Sequence, residues 1–158
     1  MNILVMNRYD IQKAYFDFPH IIISMTDDAQ FFPNISERNC KGILRVAIWD
    51  TEDGVSYRSL HTFGAPSIPR DRIFSVDHAK SILEFVFSHI NEVNLIVCQC
   101  DAGMSRSAST AAALSKILNG DNTMFLNPPY FPNRLIYKTI INEYYHTKEV
   151  KFRDLNEV

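Results

Sequence analysis

The sequence contains few cysteines and no long apolar run, and each absence excludes a class of protein. Three of its 158 residues are cysteine, namely Cys40, Cys98 and Cys100. An odd and small number favours reduced thiols over the disulfide framework of a secreted domain. No apolar run approaches the roughly 20 residues that a membrane-spanning helix requires, and residues 1–6 lack the basic lead and cleavage site of a secretory signal. We therefore expect a cytoplasmic protein with free thiols.

Positive charge is not in excess either. The chain has 16 lysines and arginines against 18 aspartates and glutamates, a formal net charge of −2, and its basic residues are scattered. A protein that binds nucleic acid or an anionic membrane usually carries a basic stripe or patch. We therefore expect neither a nucleic acid nor a membrane as a partner.

What the sequence does contain is enough apolar residues for one ordinary core. Hydrophobic residues make up 46% of the chain, and no change in composition divides it, so we predict a single domain over residues 1–158. Four short, continuously apolar runs predict strands that are covered on both faces. These strands are residues 2–6, 20–25, 43–49 and 95–99.

Helical spacing of apolar residues predicts four helices between and after these strands. They are residues 11–18, a segment from Ser75 to about Ile90, about 105–118, and about 133–146. Ser75 is a plausible N-cap, and Gly120 is a suitable C-terminal signal for the third helix. Alternating strands and helices predict an α/β fold with a mostly parallel central sheet flanked by helices. Residues 51–73 show neither period and predict a long loop that acts as a lid, unless they conceal a missed element.

The strongest chemical signal is the segment Cys100-Asp-Ala-Gly-Met-Ser-Arg106, which joins the last predicted strand to an Ala-rich helix. Its spacing alone could arise by chance. A loop between a strand end and a helix start, however, directs successive backbone N–H groups into one concavity that suits phosphate. Gly103 permits a tight curl, and Arg106 offers a planar fork to two phosphate oxygens. A thiol in that positive field loses its proton more readily, so Cys100 is the predicted nucleophile.

The segment from Cys100 through Ser107 resembles the signature of the protein tyrosine phosphatase superfamily, dual-specificity branch. The Ala-rich helix after it and the stretch Pro132-Asn-Arg-Leu-Ile-Tyr137 are similar to bacterial and viral members. The resemblance implies a protein tyrosine phosphatase-like fold, attack of a thiolate on a phosphomonoester, a phosphocysteine intermediate and hydrolysis by water, with no metal or other cofactor. It implies Cys100 as nucleophile, Arg106 as the ligand of the phosphoryl oxygens and Ser107 as the hydroxyl that helps the thiolate leave.

By the same resemblance, the phosphate or another oxyanion sits in the loop, and a phosphorylated protein is the substrate. The implied phosphate-binding residues are Asp101, Ala102, Gly103, Met104, Ser105 and Arg106. An acid and a methionine at the variable positions disfavour a polyanionic phosphoinositide head group. A sulfur-transfer or arsenate-reducing enzyme with a similar loop fits the Ser-Arg-Ser context less well.

One departure from the family pattern is Gln99, which stands where the family usually has histidine before the nucleophile. Glutamine can donate a hydrogen bond but cannot supply the same network, so modest activity is expected. The alternative is a module that binds phosphate or a phosphoprotein without turnover. Cys98 is most simply a small buried residue, with a redox partner of Cys100 as the lesser alternative.

The reaction also needs a carboxylic acid that protonates the leaving oxygen. Asp50 is the first candidate, because it follows a predicted strand and should therefore lie at the same sheet edge as Cys100. Its segment also resembles the acid-bearing segment of the bacterial branch. Asp71 and Asp53 are the alternatives. An aspartate that only caps a turn is the simpler explanation for each of them.

Overall fold

A computed structural model describes residues 1–52 and 69–156, and its centre is a fully parallel sheet of four strands. The strands are β1 (Asn2–Met6), β2 (His20–Thr26), β3 (Cys40–Ala47) and β4 (Leu95–Gln99), in the order β1-β4-β2-β3. The predicted mostly parallel sheet is thus confirmed. Because all four strands run the same way, their carboxyl ends meet at one edge, where folds of this kind place their sites.

Five helices accompany the sheet in the described part of the chain. They are α1 (Arg8–Ile11), α2 (Val76–His89), α3 (Arg106–Asn119), α4 (Thr123–Leu126) and α5 (Arg134–Asn156). Two short 3₁₀ turns cover Ala29–Phe31 and Arg70–Arg72. Among residues 1–52 and 69–156, no helix has both the length and the apolar content needed to cross a membrane.

The central strands β2 and β4 are buried throughout, and alternate residues of each strand face opposite sides of the sheet. On one side Ile96 and Cys98 join the larger core, which α2, α3 and α5 complete. On the other side Leu95 and Val97 join a smaller cluster with Ile11. The continuous apolar runs in the sequence reflect this burial on both faces.

The helices predicted from Ser75 to about Ile90 and over about 105–118 are confirmed as α2 and α3, with caps that explain their bounds. At the start of α2, the backbone N–H of Ser75 donates to Nδ1 of His78 at 3.0 Å, in a capping box. At the end of α3, Gly120 has a left-handed conformation with φ of 77°, and its N–H donates to the carbonyl of Lys116 at 3.1 Å. A residue without a Cβ adopts this conformation at little cost.

The predicted helix over residues 11–18 is wrong. The chain is helical only over Arg8–Ile11, where Asn7 Oδ1 accepts the N–H of Asp10 at 2.8 Å and so caps the helix. Ile11 is buried, but Tyr15 and Phe18 are 63% and 45% exposed. Helical spacing of aromatic residues misled the prediction because these side chains do not form one buried face.

The predicted third strand was displaced, since β3 spans Cys40–Ala47 rather than residues 43–49. Pairing with β2 sets its register, with a shift between His20 and Ile21, and half-buried residues of an edge strand carry a weak apolar pattern. The last helix is longer than predicted, reaching Asn156. Of the predicted lid, residues 53–68 lie outside the described residues.

Candidate active site

The loop between β4 and α3 is held against the segment that joins β1 to α1. The backbone N–H of Arg8 donates to the carbonyl of Asp101 at 3.2 Å. Gly103 has φ of 65°, and a Cβ built there would lie 2.8 Å from the backbone nitrogen of Asn7. Both its conformation and its contact therefore require glycine. Within the described part of the chain, the N–H groups of residues 101–105 donate to no protein acceptor, so they remain available to an anion.

Cys100 lies at the base of this loop, next to a hydroxyl of α3. Its Sγ is 3.0 Å from Oγ of Ser107, and both residues are buried. Cys98 faces the same core, but burial, with a smaller contribution from Cys100, raises the pKa of the Cys98 thiol well above its ordinary value. Because the thiolate is the reactive form, Cys98 is a poor nucleophile and a poor redox partner, as expected of a small core residue.

Arg106 is the first residue of α3. Its side chain is only 7% exposed and donates hydrogen bonds to three acceptors. Its Nη1 donates to Asp27 Oδ1 and to the carbonyl of Ile48, both at 2.7 Å, and its Nη2 donates to Asp101 Oδ2 at 3.2 Å. A guanidinium has five N–H donors, so two remain for an oxyanion as far as the described residues are concerned. The two carboxylates both orient the fork and offset its charge.

Asp27 is a site residue that sequence reasoning missed. It directly follows β2, so it lies at the carboxyl edge of the sheet as Asp50 was expected to do, and that position was the available signal. Asp101 was predicted as a phosphate ligand, but its side chain forms ion pairs with two arginines. Its carboxylate pairs with Arg8 at 2.8 Å as well as with Arg106, so the backbone N–H is the group of Asp101 that remains available to an anion.

Asp50 is brought to the loop, as the sequence predicted. Its Oδ1 accepts hydrogen bonds from Ser105 Oγ at 2.9 Å and from Asn133 Nδ2 at 2.8 Å. Asn133 is a second residue that sequence reasoning missed. It is buried, and its Oδ1 accepts the N–H of Ile136 at 3.1 Å, so it caps α5 while it anchors Asp50.

The other two candidate acids have no such position. Asp71 is largely exposed, its carboxylate pairs with Arg72 at 3.5 Å, and within the described residues it makes no hydrogen bond to the loop. Asp53 lies outside the described residues.

Gln99 points away from the thiol that it precedes. It accepts a hydrogen bond from Ser24 Oγ at 2.5 Å on the opposite face of the sheet. Its Nε2 is buried and has no partner among the residues that the structure describes. The side chain therefore gives the described part of the loop no hydrogen bond, consistent with the weaker support expected of glutamine.

A four-stranded parallel sheet whose central strand leads through a loop into a helix is also the fold of solved dual-specificity phosphatases, to which this chain is similar. Human DUSP28 superposes with a TM-score of 0.57 and 12% identity, over 93% of this chain and 94% of that chain. PTPMT1 gives 0.54 and 15%, over 98% and 95%. The human tyrosine phosphatase-like serine/threonine/tyrosine-interacting protein gives 0.52 and 18%, over 83% and 78%.

At these identities the likeness concerns the fold, and it confirms the predicted fold class. No protein-family model and no curated protein matches the sequence. The chemistry of the site therefore has to be argued from the residues of this chain.

Proposed function

We propose that this chain is a cysteine-dependent phosphatase that hydrolyses phosphotyrosine in proteins, and phosphoserine or phosphothreonine as further substrates. The observation that carries the proposal is the position of Cys100. Its sulfur lies 3.0 Å from the Ser107 hydroxyl, at the base of a loop whose N–H groups donate to none of the described residues and which adjoins a buried guanidinium. A thiol, an anion cradle and a fixed cation are the parts that phosphoryl transfer to sulfur requires.

In the first step, the thiolate of Cys100 attacks the phosphorus atom opposite the ester oxygen. An S–P bond forms, the P–O ester bond breaks, and Asp50 gives its proton to the leaving oxygen. In the second step, water attacks the phosphocysteine, Asp50 takes a proton from that water, and the S–P bond breaks. Ser107 donates a hydrogen bond to the sulfur as it leaves with its negative charge, so phosphate and thiolate are the products.

Arg106 supports both steps because its charge is held in place before the substrate arrives. Asp27, Asp101 and the carbonyl of Ile48 fix its guanidinium. A donor that is already oriented costs no reorganisation when charge develops on the phosphoryl oxygens. The flanking carboxylates also lower the local positive charge, which favours release of the phosphate product.

The test is turnover of a simple aryl phosphate by the intact chain in the presence of a metal chelator. We expect hydrolysis that vanadate blocks, together with protection of Cys100 from alkylation by added phosphate. Protection without turnover would support the binding module instead. If neither protection nor turnover were observed, both functions would fail.

That second function rests on one specific observation. Gln99 contacts Ser24 on the far face of the sheet and leaves its amide nitrogen without a partner among the described residues. The loop thus lacks the support that histidine gives in the family, and a loop that binds an oxyanion but activates its thiol poorly would be a phosphate-binding module.

Replacing Asp50 with asparagine tests the general acid. The amide keeps an acceptor for Ser105 and Asn133, so the fold should persist, but it has no proton to give. We expect kcat to fall by about 100-fold for a phosphate ester whose leaving alcohol or phenol has a high pKa. The pH–rate profile of the variant should lack the fall in rate at high pH that we expect of wild type.

Asp71→Asn is the matched control, since its carboxylate is exposed and pairs with Arg72. We expect it to retain the wild-type profile. Asp50 would lose its assignment if the Asp50→Asn profile kept the fall at high pH, or if the effect on kcat were the same for good and poor leaving groups.

A further inference from the structure

An open groove of about 680 Å³ lies beside the catalytic loop, along the start of α5. We call it the flanking groove. The residues that the argument uses are Glu52, Leu126, Phe131, Arg134 and Lys138, all of which line it. Neither the thiol nor the candidate acid is among its lining residues, so the proposed reaction does not explain it.

The flanking groove adjoins the candidate active site. The backbone N–H of Phe131 donates to the carbonyl of Met104, within the loop, at 2.9 Å. The neighbouring Asn133 holds Asp50. Two residues after Asp50, the carboxylate of Glu52 accepts the N–H of Arg134 at 2.8 Å. A chain whose phosphorylated side chain enters the loop would therefore meet this groove with its adjacent residues.

Two cations mark the groove as a site for negative charge. Arg134 and Lys138 are exposed, and neither side chain forms an ion pair with another described residue. They are four residues apart at the start of α5, so they lie on one helix face and repel each other. Cations are also disfavoured near a helix N-terminus. Since Glu52 already accepts the helix N–H, the two side chains remain for an acidic partner.

The same groove exposes apolar surface. Phe131 is 63% exposed and Leu126 is 46% exposed, while Met104 in the adjoining loop is 40% exposed. Single exposed apolar residues are ordinary, but here they lie next to the cations and to the loop. A small polyanion would use the cations and leave Phe131 uncovered, whereas a polypeptide can supply both an acidic and an apolar side chain.

The cation and carboxylates of a second cleft that borders the loop are already paired with one another or with Arg106. This cleft, of about 480 Å³, is lined by Asp27 and Asp101 together with Arg8. Both carboxylates are committed to Arg106, and Arg8 is committed to Asp101. Since Arg8 is already paired, an acidic residue of a substrate is favoured in the flanking groove, where two cations have no ion-pair partner among the described residues.

We propose that the flanking groove binds the residues next to the phosphorylated side chain of a protein substrate, with an acidic side chain against Arg134 and Lys138 and an apolar one against Phe131. This inference rests on the proposed function, because it deepens the substrate class of the same site. An extended peptide advances about 3.3 Å per residue, and residues one helical turn apart are separated by about 5–6 Å. Because Phe131 contacts the loop at Met104 and Arg134 follows three residues later, the acidic residue should fall within a few positions of the phosphorylated one.

The experiment compares phosphotyrosine peptides that differ only in one flanking residue, glutamate or glutamine, with an aryl phosphate as the substrate that cannot reach the groove. For wild type we expect kcat/KM to be about five-fold higher for the glutamate peptide because its KM is lower. This preference should shrink at high salt. In the double variant Arg134→Gln/Lys138→Gln the preference should vanish. Phe131→Ala should weaken the binding of both peptides to the same degree.

Lys80→Gln is the matched control, because it removes one exposed lysine from α2, away from the groove. All variants should hydrolyse the aryl phosphate within about two-fold of wild type. The inference is overturned if the double variant keeps the glutamate preference, or if its activity on the aryl phosphate falls as much as its activity on the peptides. It is also overturned if the double variant loses more activity on a soluble phosphoinositide head group than on the glutamate peptide. The last outcome would indicate a head-group site.

Failure of the proposed function has a different signature. If wild type hydrolyses no aryl phosphate, the same peptides are compared by fluorescence anisotropy. A glutamate preference in Kd that Arg134→Gln/Lys138→Gln removes would then support the groove without the enzyme. No preference in Kd would reject the groove as well.

Discussion

Serine in place of Cys100 is expected to lower aryl phosphate turnover by about 10⁵-fold or more, while phosphate still binds. A serine hydroxyl is not ionised near neutral pH and is a far weaker nucleophile than a thiolate. The replacement is nearly isosteric and can keep the hydrogen bond to Ser107. The loop, its N–H groups and Arg106 remain, so affinity for vanadate or for a phosphopeptide should persist. Steady-state kinetics and anisotropy measure the two quantities separately.

Cys98→Ala is the control for this experiment, since it removes a sulfur atom two residues away, from the same core. It should cost about 1 kcal/mol in the free energy of unfolding and leave kcat within a few-fold of wild type. Residual activity of Cys100→Ser above about one per cent of wild type would show that another group is the nucleophile. Loss of oxyanion affinity along with turnover would instead indicate a collapsed loop.

Lysine in place of Arg106 is expected to lower kcat/KM by about 10³-fold. The lysine ammonium keeps the charge but not the planar fork, so it cannot satisfy Asp27, Asp101 and the carbonyl of Ile48 together. A single ammonium cannot pair with both carboxylates as the fork does, so one of them then faces the phosphate with its charge poorly screened. We expect a weaker phosphate inhibition constant as well as a lower kcat.

Arg38→Lys controls for the change of residue type, because Arg38 forms an exposed ion pair with Asp17 at 3.0 Å and should tolerate lysine. Thermal unfolding should show a loss for Arg106→Lys that Arg38→Lys lacks, since a buried charge is left imperfectly paired. An Arg106→Lys variant with wild-type affinity for phosphate would contradict the assigned role. If Arg106→Lys lowered only the thermal stability and left kcat/KM unchanged, Arg106 would have a structural role alone.

The sheet could be predicted because its central strands are covered on both faces. Burial of β2 and β4 requires continuous apolar runs, which are visible without any partner. The edge strand β3 gave a displaced prediction, because its bounds depend on pairing with β2. The helix predicted over residues 11–18 was wrong because the spacing of its aromatic residues matched a helix, whereas most of the side chains after α1 face solvent.

Asp27 and Asn133 show where sequence reasoning about the site runs out. Neither lies in the segment from Cys100 to Ser107, and each is brought to the loop from a distant part of the chain. Their tasks, holding Arg106 and Asp50, are defined only by what they touch. Asp50 could be anticipated because it follows a strand, and the same rule would have nominated Asp27.

The sequence by itself determined the local part of the site, the segment from Cys100 to Ser107, because a strand end, a loop and a helix start are adjacent along the chain. Only the tertiary structure decided which carboxylates grip Arg106, which side chain anchors Asp50 and where the flanking groove lies. The physical reason is that parallel strands collect their carboxyl ends at one edge, and so unite residues that are far apart in the chain. Spacing along the sequence carries no record of those contacts.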